Sequence, residues 1–221
     1  MAGRISTILF DLDGLLVDSE ASWYRARCEL AEAHGCVWTE REQRAHAGVS
    51  TATWVANVRA CIKDALSPAE VEEEIVRRME AYYRAKEVAL LPGAEACLAW
   101  CAGQFKTALV SGSPHRLIDA AIGGAGWAPY FQLRLSSDEM ERGKPHPDVY
   151  EEAMRRLGVR SSETVVLEDS GAGIRAGLAA GARVMAVPNP ETDPGPDTLR
   201  LATVVVSSLA DVPDLITRWN A

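Results

Sequence analysis

ISTILFDLDGLLVDSE, residues 5–20, decides how the chain is read. The run Ile8, Leu9, Phe10 is apolar on both faces and short, the pattern of a strand buried inside a parallel sheet. It stops at Asp11 and Asp13, one residue apart, and Gly14 follows at once. Glycine permits the sharp exit that such a strand needs. Two carboxylates therefore lie at the C-terminal end of a strand, where open α/β sheets build their sites. Taken alone, the stretch reads equally well as a strand ending in a solvated Asp-Gly turn. The rest of the chain has to decide.

A chain of 221 residues has room for one large domain, or for a core plus a smaller one. Its 48% hydrophobic and 24% charged residues are those of an ordinary soluble globular protein. A net charge of -8 argues against a nucleic-acid surface, because phosphate backbones attract clustered Lys and Arg. A small phosphorylated ligand stays open, since a few local cations and a metal outweigh the average. The five cysteines, Cys28, Cys36, Cys61, Cys97 and Cys101, form no CxxC pair. Their odd number and scatter predict reduced packing thiols and a cytoplasmic location. Neither a signal-length nor a membrane-spanning apolar stretch is expected.

Beyond the opening strand, Ser19 to His34 reads as a helix capped by Ser19 and ending before Gly35. The pattern stays helical to about Lys86, with Pro68 near the start of a second long helix, where its missing N–H costs nothing. From Leu90 the style changes to strands alternating with helices. A helix is expected from Pro92 to Gly103, then a strand in KTALVSGS and another in FQLRLSS. GKPHPDVYEEAMRRLG reads as a loop running into a helix. TVVLEDSGAGIRAG reads as strand, acid pair and Gly-rich turn, and two short strands follow. This alternation means βαβ units and a parallel sheet. The expected architecture is α/β, with a discontinuous Rossmann-like core (1–18 and 87–221) and an inserted all-helical cap (19–86). Hinges are expected near Val17–Glu20 and Glu87–Leu91.

Strand ends then bring together Asp11 and Asp13, the Ser111–Gly112–Ser113 turn, and Glu168 with Asp169, while Lys144 lies on a loop before a helix. Crowded carboxylates repel unless a cation sits among them, and all-oxygen ligands suit Mg²⁺. Lys144 adds a point charge for phosphate, and the serine turn offers hydroxyls and N–H groups. Each group has an ordinary explanation by itself: a turn, a surface lysine, acids at a helix start. Their joint order favours chemistry.

FDLDG, VSGS, GKPHPD and VVLEDSGAGIRAG match, in order, the four motifs of the haloacid dehalogenase superfamily of phosphotransferases. The chain resembles that superfamily over essentially its whole length. The helical insert is similar to the cap of the β-phosphoglucomutase-like branch, and GLLVDSE resembles its sugar-phosphate and pseudouridine-5′-phosphate phosphatases. The resemblance implies a Mg²⁺-dependent hydrolase of a small phosphorylated metabolite, working through an aspartyl-phosphate. Asp11 would be the nucleophile, and Asp13 the acid and base. Ser111, Gly112 and Lys144 would hold phosphoryl oxygens. Asp169 would bind the metal with the Asp11 carboxylate and the Asp13 backbone carbonyl, and Glu168 would orient metal-bound water or join as a ligand.

Departures bear on the reaction. Asp13 is present where dehalogenases and phosphonatases of the superfamily lack an aspartate. β-Phosphoglucomutases carry a His on the first cap helix and an Arg after Gly-Val-Ser. Here Trp23 or Tyr24 stands near the first place, and Thr51 follows Gly48, Val49 and Ser50. Hydrolysis is therefore expected over mutase transfer. A second alternative is a phosphate-accepting signalling domain of receiver type, against which the motif order and the insert both count. His46, Ser50 and Thr51, with Gly48 and Trp54, lie where the cap would face the catalytic loops, and read either as leaving-group contacts or as helix packing. The expected partner is a small phosphorylated molecule, with no nucleic acid or membrane, and the expected state is a monomer or weak dimer.

Overall fold

The computed structural model describes residues 3–44 and 51–221. The chain runs β1 (Thr7–Phe10), β2 (Val17–Asp18), α1 (Glu20–Ala33), α2 (Glu40–Arg44), α3 (Thr51–Cys61), α4 (Pro68–Arg84) and β3 (Ala89–Leu90). It continues through α5 (Ala94–Ala102), β4 (Lys106–Ser111), α6 (His115–Ala125), β5 (Leu133–Ser136), α7 (Asp148–Leu157) and β6 (Thr164–Glu168). It ends with α8 (Gly171–Ala179), β7 (Arg183–Ala186), α9 (Gly195–Leu199), β8 (Val204–Val205) and α10 (Val212–Asn220).

Six strands form one sheet in the order β5-β4-β1-β6-β7-β8. All its pairs are parallel. Side chains alternate between its faces, and both faces are covered. From β1, Ile8 and Phe10 enter one apolar cluster and Leu9 the other. In β6, Val165 and Leu167 join the first cluster and Val166 the second. Two-sided burial explains why these strands read as continuous apolar runs. Each such fully buried side chain contributes about 1.5–3 kcal/mol.

Helices α1 to α4 fill the interval between β2 and β3, and α4 packs against both α1 and α3. Among the described residues of that interval there is no strand. β2 and β3 pair as a small antiparallel ribbon, Val17 with Leu90 and Asp18 with Ala89. The two expected hinges are therefore hydrogen-bonded to each other, and Leu91 N–H also donates to Leu16 O at 3.0 Å. α4 starts with a full capping box: the Ser67 hydroxyl accepts from Glu70 N–H, and the Glu70 carboxylate accepts from Ser67 N–H.

Three expectations change. α5 begins at Ala94, not Pro92, because Gly93 at φ 82° has left-handed backbone that no helix accommodates. Ser19 stands at the start of α1 but its hydroxyl makes no cap bond; it donates to Asp13 Oδ1 at 2.7 Å instead. The cysteines are not all reduced: Cys36 and Cys61 form a disulfide, while Cys28, Cys97 and Cys101 are free. The end of α3 returns beside the loop after α1 and brings the two Cα atoms to 6.2 Å, within bridging distance. That bridge removes the argument from reduced thiols to a cytoplasmic location. Among the described residues, no helix is long and apolar enough to cross a membrane.

Candidate active site

β4, β1 and β6 are adjacent and level, with Phe10 opposite both Leu109 and Leu167. The residues just beyond them emerge along one edge. Asp11 N–H still donates to Leu167 O at 3.1 Å, so the first aspartate is fixed by the ladder itself. Asp11, Glu168 and Asp169 are all buried, and a carboxylate oxygen of each lies within 4.8 Å of the other two.

Lys144 enters this cluster from the loop before α7. Its Nζ donates to Asp11 Oδ1 at 2.6 Å, Glu168 Oε1 at 2.7 Å and Val110 O at 3.0 Å. The ammonium also lies 5.0 Å from the Tyr150 ring centre. Burial acts to lower the lysine pKa, but the attraction of Asp11 and Glu168 wins and raises it well above the ordinary value. Glu168 is saturated. Its Oε1 also accepts from Tyr150 OH at 2.7 Å, and its Oε2 accepts from Ser170 N–H and Oγ–H at 3.1 and 2.9 Å. Gly173 makes room for it, since a Cβ there would fall 1.7 Å from Glu168 Oε1.

Asp169 is the opposite case. Both its carboxylate oxygens are buried and, among the described residues, neither has a partner of hydrogen-bond geometry, although the nearby Thr192 side chain favours the ionised form. Burial, then Glu168 and Asp11, push its pKa well above the ordinary carboxylate range. Burial likewise lifts Asp11 to about 8, with Glu168 and Asp13 adding to it and Lys144 opposing. One lysine cannot balance three buried carboxylates, and a buried acceptor pair with nothing to accept is costly. Oxygen ligands at this spacing suit a hard divalent cation. Gly14, at φ 79°, lets the backbone pass Asp169: a Cβ there would lie 2.2 Å from Asp169 Oδ2. Asn189 Nδ2 ties down the same turn through Gly14 O at 2.9 Å.

Asp13 stands apart from the acidic cluster. Its Oδ1 accepts from Ser19 Oγ at 2.7 Å, Trp23 Nε1 at 3.2 Å and Tyr83 OH at 3.4 Å. Its Oδ2 accepts from Ser113 Oγ at 2.7 Å and Ser111 Oγ at 3.3 Å. Ser111 also accepts from Ser113 N–H at 2.9 Å, which closes the serine turn. α1 and α4 thus reach down to the same carboxylate that the β4 turn holds from below.

A cavity of about 390 Å³ joins these groups. Asp11, Asp13, Gly112 and Lys144 line it from the sheet edge, and Thr51 and Trp54 line it from α3. Thr51 Oγ1 donates to Asp138 Oδ2 at 3.4 Å across the gap. Trp54 is both wall and packing, only 5% exposed and 6.0 Å from the Trp23 ring. Of the residues expected at the site, Asp11, Asp13, Ser111, Gly112, Lys144, Glu168, Asp169 and Thr51 come together. His46 and Ser50 lie outside the described residues. Sequence reasoning did not anticipate Ser19, Trp23 and Tyr83 around Asp13, or Tyr150 and Ser170 around Glu168. For Ser170 a signal existed: it is the residue after the acid pair at a helix start, and its hydroxyl does cap α8 through Gly173 N–H at 3.0 Å.

A family model described as haloacid dehalogenase-like hydrolase matches residues 5–181. Hexitol phosphatase B of Escherichia coli K12 is 30% identical over 212 residues, covering 95% of either chain. Hexitol phosphatase A of the same strain is 35% identical over 196 residues, covering 86% of this chain and 87% of its own. Among solved structures, CbbY from Rhodobacter sphaeroides in complex with phosphate superposes with a TM-score of 0.84 at 26% identity, covering 94% of this chain and 96% of that one. With the sheet order, the carboxylate cluster and these matches agreeing, the chain belongs to the haloacid dehalogenase-like hydrolases.

Proposed function

We propose that this hydrolase is a Mg²⁺-dependent phosphatase acting on a small phosphorylated metabolite, with residues 19–86 as a cap over a core formed by 1–18 and 87–221. The observation that carries the reading is Asp169, a buried carboxylate beside Asp11 and Glu168 whose two oxygens have no hydrogen-bond partner among the described residues. Asp11, Asp169 and the Asp13 backbone carbonyl would hold Mg²⁺, with Glu168 next to them. Bound there, the ion supplies positive charge against the phosphoryl oxygens and the acidic cluster.

The remaining steps belong to the chain. A carboxylate oxygen of Asp11 attacks phosphorus and the ester P–O bond breaks. Asp13 delivers its proton to the departing alkoxide, leaving an aspartyl-phosphate on Asp11. Asp13, now ionised, takes a proton from the water that attacks phosphorus, and inorganic phosphate departs with Asp11 restored. Lys144, Ser111 and the Gly112 N–H hold the transferring oxygens. Lys144, already 2.6 Å from Asp11, keeps the nucleophile and the phosphate from repelling each other. Trp23 and Tyr83 bond Asp13 from α1 and α4, so the acid is fully positioned only when those helices cover it.

Hydrolysis is favoured over mutase transfer because Trp23 or Tyr24, and Thr51, stand where the mutase-type His and Arg are expected. Names of the relatives support the class of ester: both Escherichia coli proteins are called hexitol phosphatases. The test is phosphate release from a panel of sugar, polyol and nucleoside phosphates with Mg²⁺. Release is expected, and EDTA or Asp11→Asn should abolish it. Turnover that persists in EDTA removes the metal from the mechanism, and turnover by Asp11→Asn removes the nucleophile.

A further inference from the structure

Asp11, Asp13 and Lys144 account for the phosphoryl end of the cavity. Another part of its lining is Glu20, Trp23, Arg27 and Trp54, from α1 and α3. Arg27 is only 5% exposed. Its guanidinium carbon lies 5.2 Å from the Trp23 ring centre and 5.7 Å from that of Trp54. Nη1 donates to Gln43 Oε1 at 2.8 Å, and Nε is buried with no acceptor among the described residues. The other end of the same amide, Gln43 Nε2, donates to Glu20 Oε2 at 3.3 Å. One glutamine therefore fixes a guanidinium and a carboxylate side by side on the cavity wall. Folding does not call for this arrangement, because a buried charge with an unfilled donor is replaced by an apolar side chain at little or no cost in stability.

We infer that Arg27 and Glu20 read hydroxyl groups on the leaving group, so that the substrate carries an uncharged polyhydroxyl chain beyond its phosphate. This rests on the phosphatase reading above. A hydroxyl both donates and accepts, whereas arginine only donates and a carboxylate accepts. Held together, the two match neighbouring hydroxyls of a sugar or sugar alcohol. A second anionic group fits poorly: the same cavity is lined by Glu20, Asp138 and Glu141, and Lys144 serves the phosphoryl end beside Asp11 and Glu168. A nucleobase needs a free ring face. Trp23 and Trp54 offer none, being 7% and 5% exposed, tilted 56° to each other and both covered by the guanidinium.

The experiment compares kcat/KM for glucitol 6-phosphate, fructose 1,6-bisphosphate, adenosine 5′-monophosphate and p-nitrophenyl phosphate. Wild-type protein, Arg27→Met and Glu20→Gln are all assayed with Mg²⁺. Wild type should prefer glucitol 6-phosphate. Each substitution should lower the ratio of glucitol 6-phosphate to p-nitrophenyl phosphate by about tenfold or more, mainly through KM, the usual worth of a hydrogen bond to a charged group. Glu20→Gln keeps the side-chain shape, so it carries the test should Arg27→Met not fold. Equal losses on both esters, or a wild-type preference for the bisphosphate or the nucleotide, overturn the inference while leaving the phosphatase intact. No release from any ester, p-nitrophenyl phosphate included, overturns the phosphatase reading and the inference with it.

Discussion

Asp13 accepts hydrogen bonds from Ser19, Trp23, Tyr83, Ser111 and Ser113, so its position is set by the turn after β4 and by two helices at once. In the proposed role of proton donor, a group held this way loses little to misorientation. Asp13→Ala should lower kcat by about 10²–10⁴, the usual worth of general acid–base help, in a steady-state assay with Mg²⁺. A wild-type kcat would end the assignment. Gly173 tests the ion-pair network from the other side. A methyl there would meet Glu168 Oε1 at 1.7 Å, and Glu168 is bonded to Lys144, Tyr150 and Ser170. Gly173→Ala should destabilise the fold by about 1–3 kcal/mol or more in urea unfolding, as overpacking of a closed core does. An unchanged midpoint would show that Glu168 moves freely. The acids themselves were legible because polar residues interrupted apolar runs at strand ends. The groups around them were not. Ser19 sits before a helix, where a cap is the local expectation, and Tyr83 meets Asp13 across a sequence separation of 70 residues.

Elements of the sheet were legible for a plain reason: a strand covered on both faces is apolar through its centre, as β1 is at Ile8–Phe10, β4 at Ala108–Val110 and β6 at Val165–Leu167. The β2–β3 ribbon was not, because two residues on either side carry no periodicity and their pairing depends on the helices returning between them. The same holds for Cys36 and Cys61, which lie 25 residues apart in sequence and meet only through the path of α2 and α3. Their bridge closes the loop that presents Thr51 to the cavity. Constraining a loop of that size in the unfolded chain is worth roughly 3 kcal/mol. Cys36→Ser should lose about that much in chemical denaturation, and reductant should bring wild-type protein to the same midpoint. A reductant-insensitive wild type would mean that the bridge contributes nothing.

At the scale of the molecule, the helical insert must cover the sheet edge for Trp23 and Tyr83 to bond Asp13, and Arg116 of α6 pairs with two carboxylates of α4 across that contact. Arg116 on α6 donates from Nε to Glu80 Oε1 at 3.1 Å and from Nη2 to Glu80 Oε2 at 3.0 Å, and it also bonds Glu73. Glu80 is 8% exposed, whereas the Arg116 side chain is half exposed. The planar fork suits a carboxylate better than a lone lysine would. Solvent on the arginine side screens the pair and reduces its worth. Losing the pair would still move the balance between covered and uncovered site toward the uncovered form, and substrate that binds the covered form would lose apparent affinity. Arg116→Ala should therefore raise KM with kcat nearly unchanged, since no chemical group is touched. Raising the salt concentration on wild-type protein should move KM in the same direction by less, because the partly buried Glu80 is poorly screened. A fall in kcat at constant KM would place Arg116 in the chemistry, and an unchanged KM would mean that the apolar contacts between α4 and α6 close the cap without help from the charge.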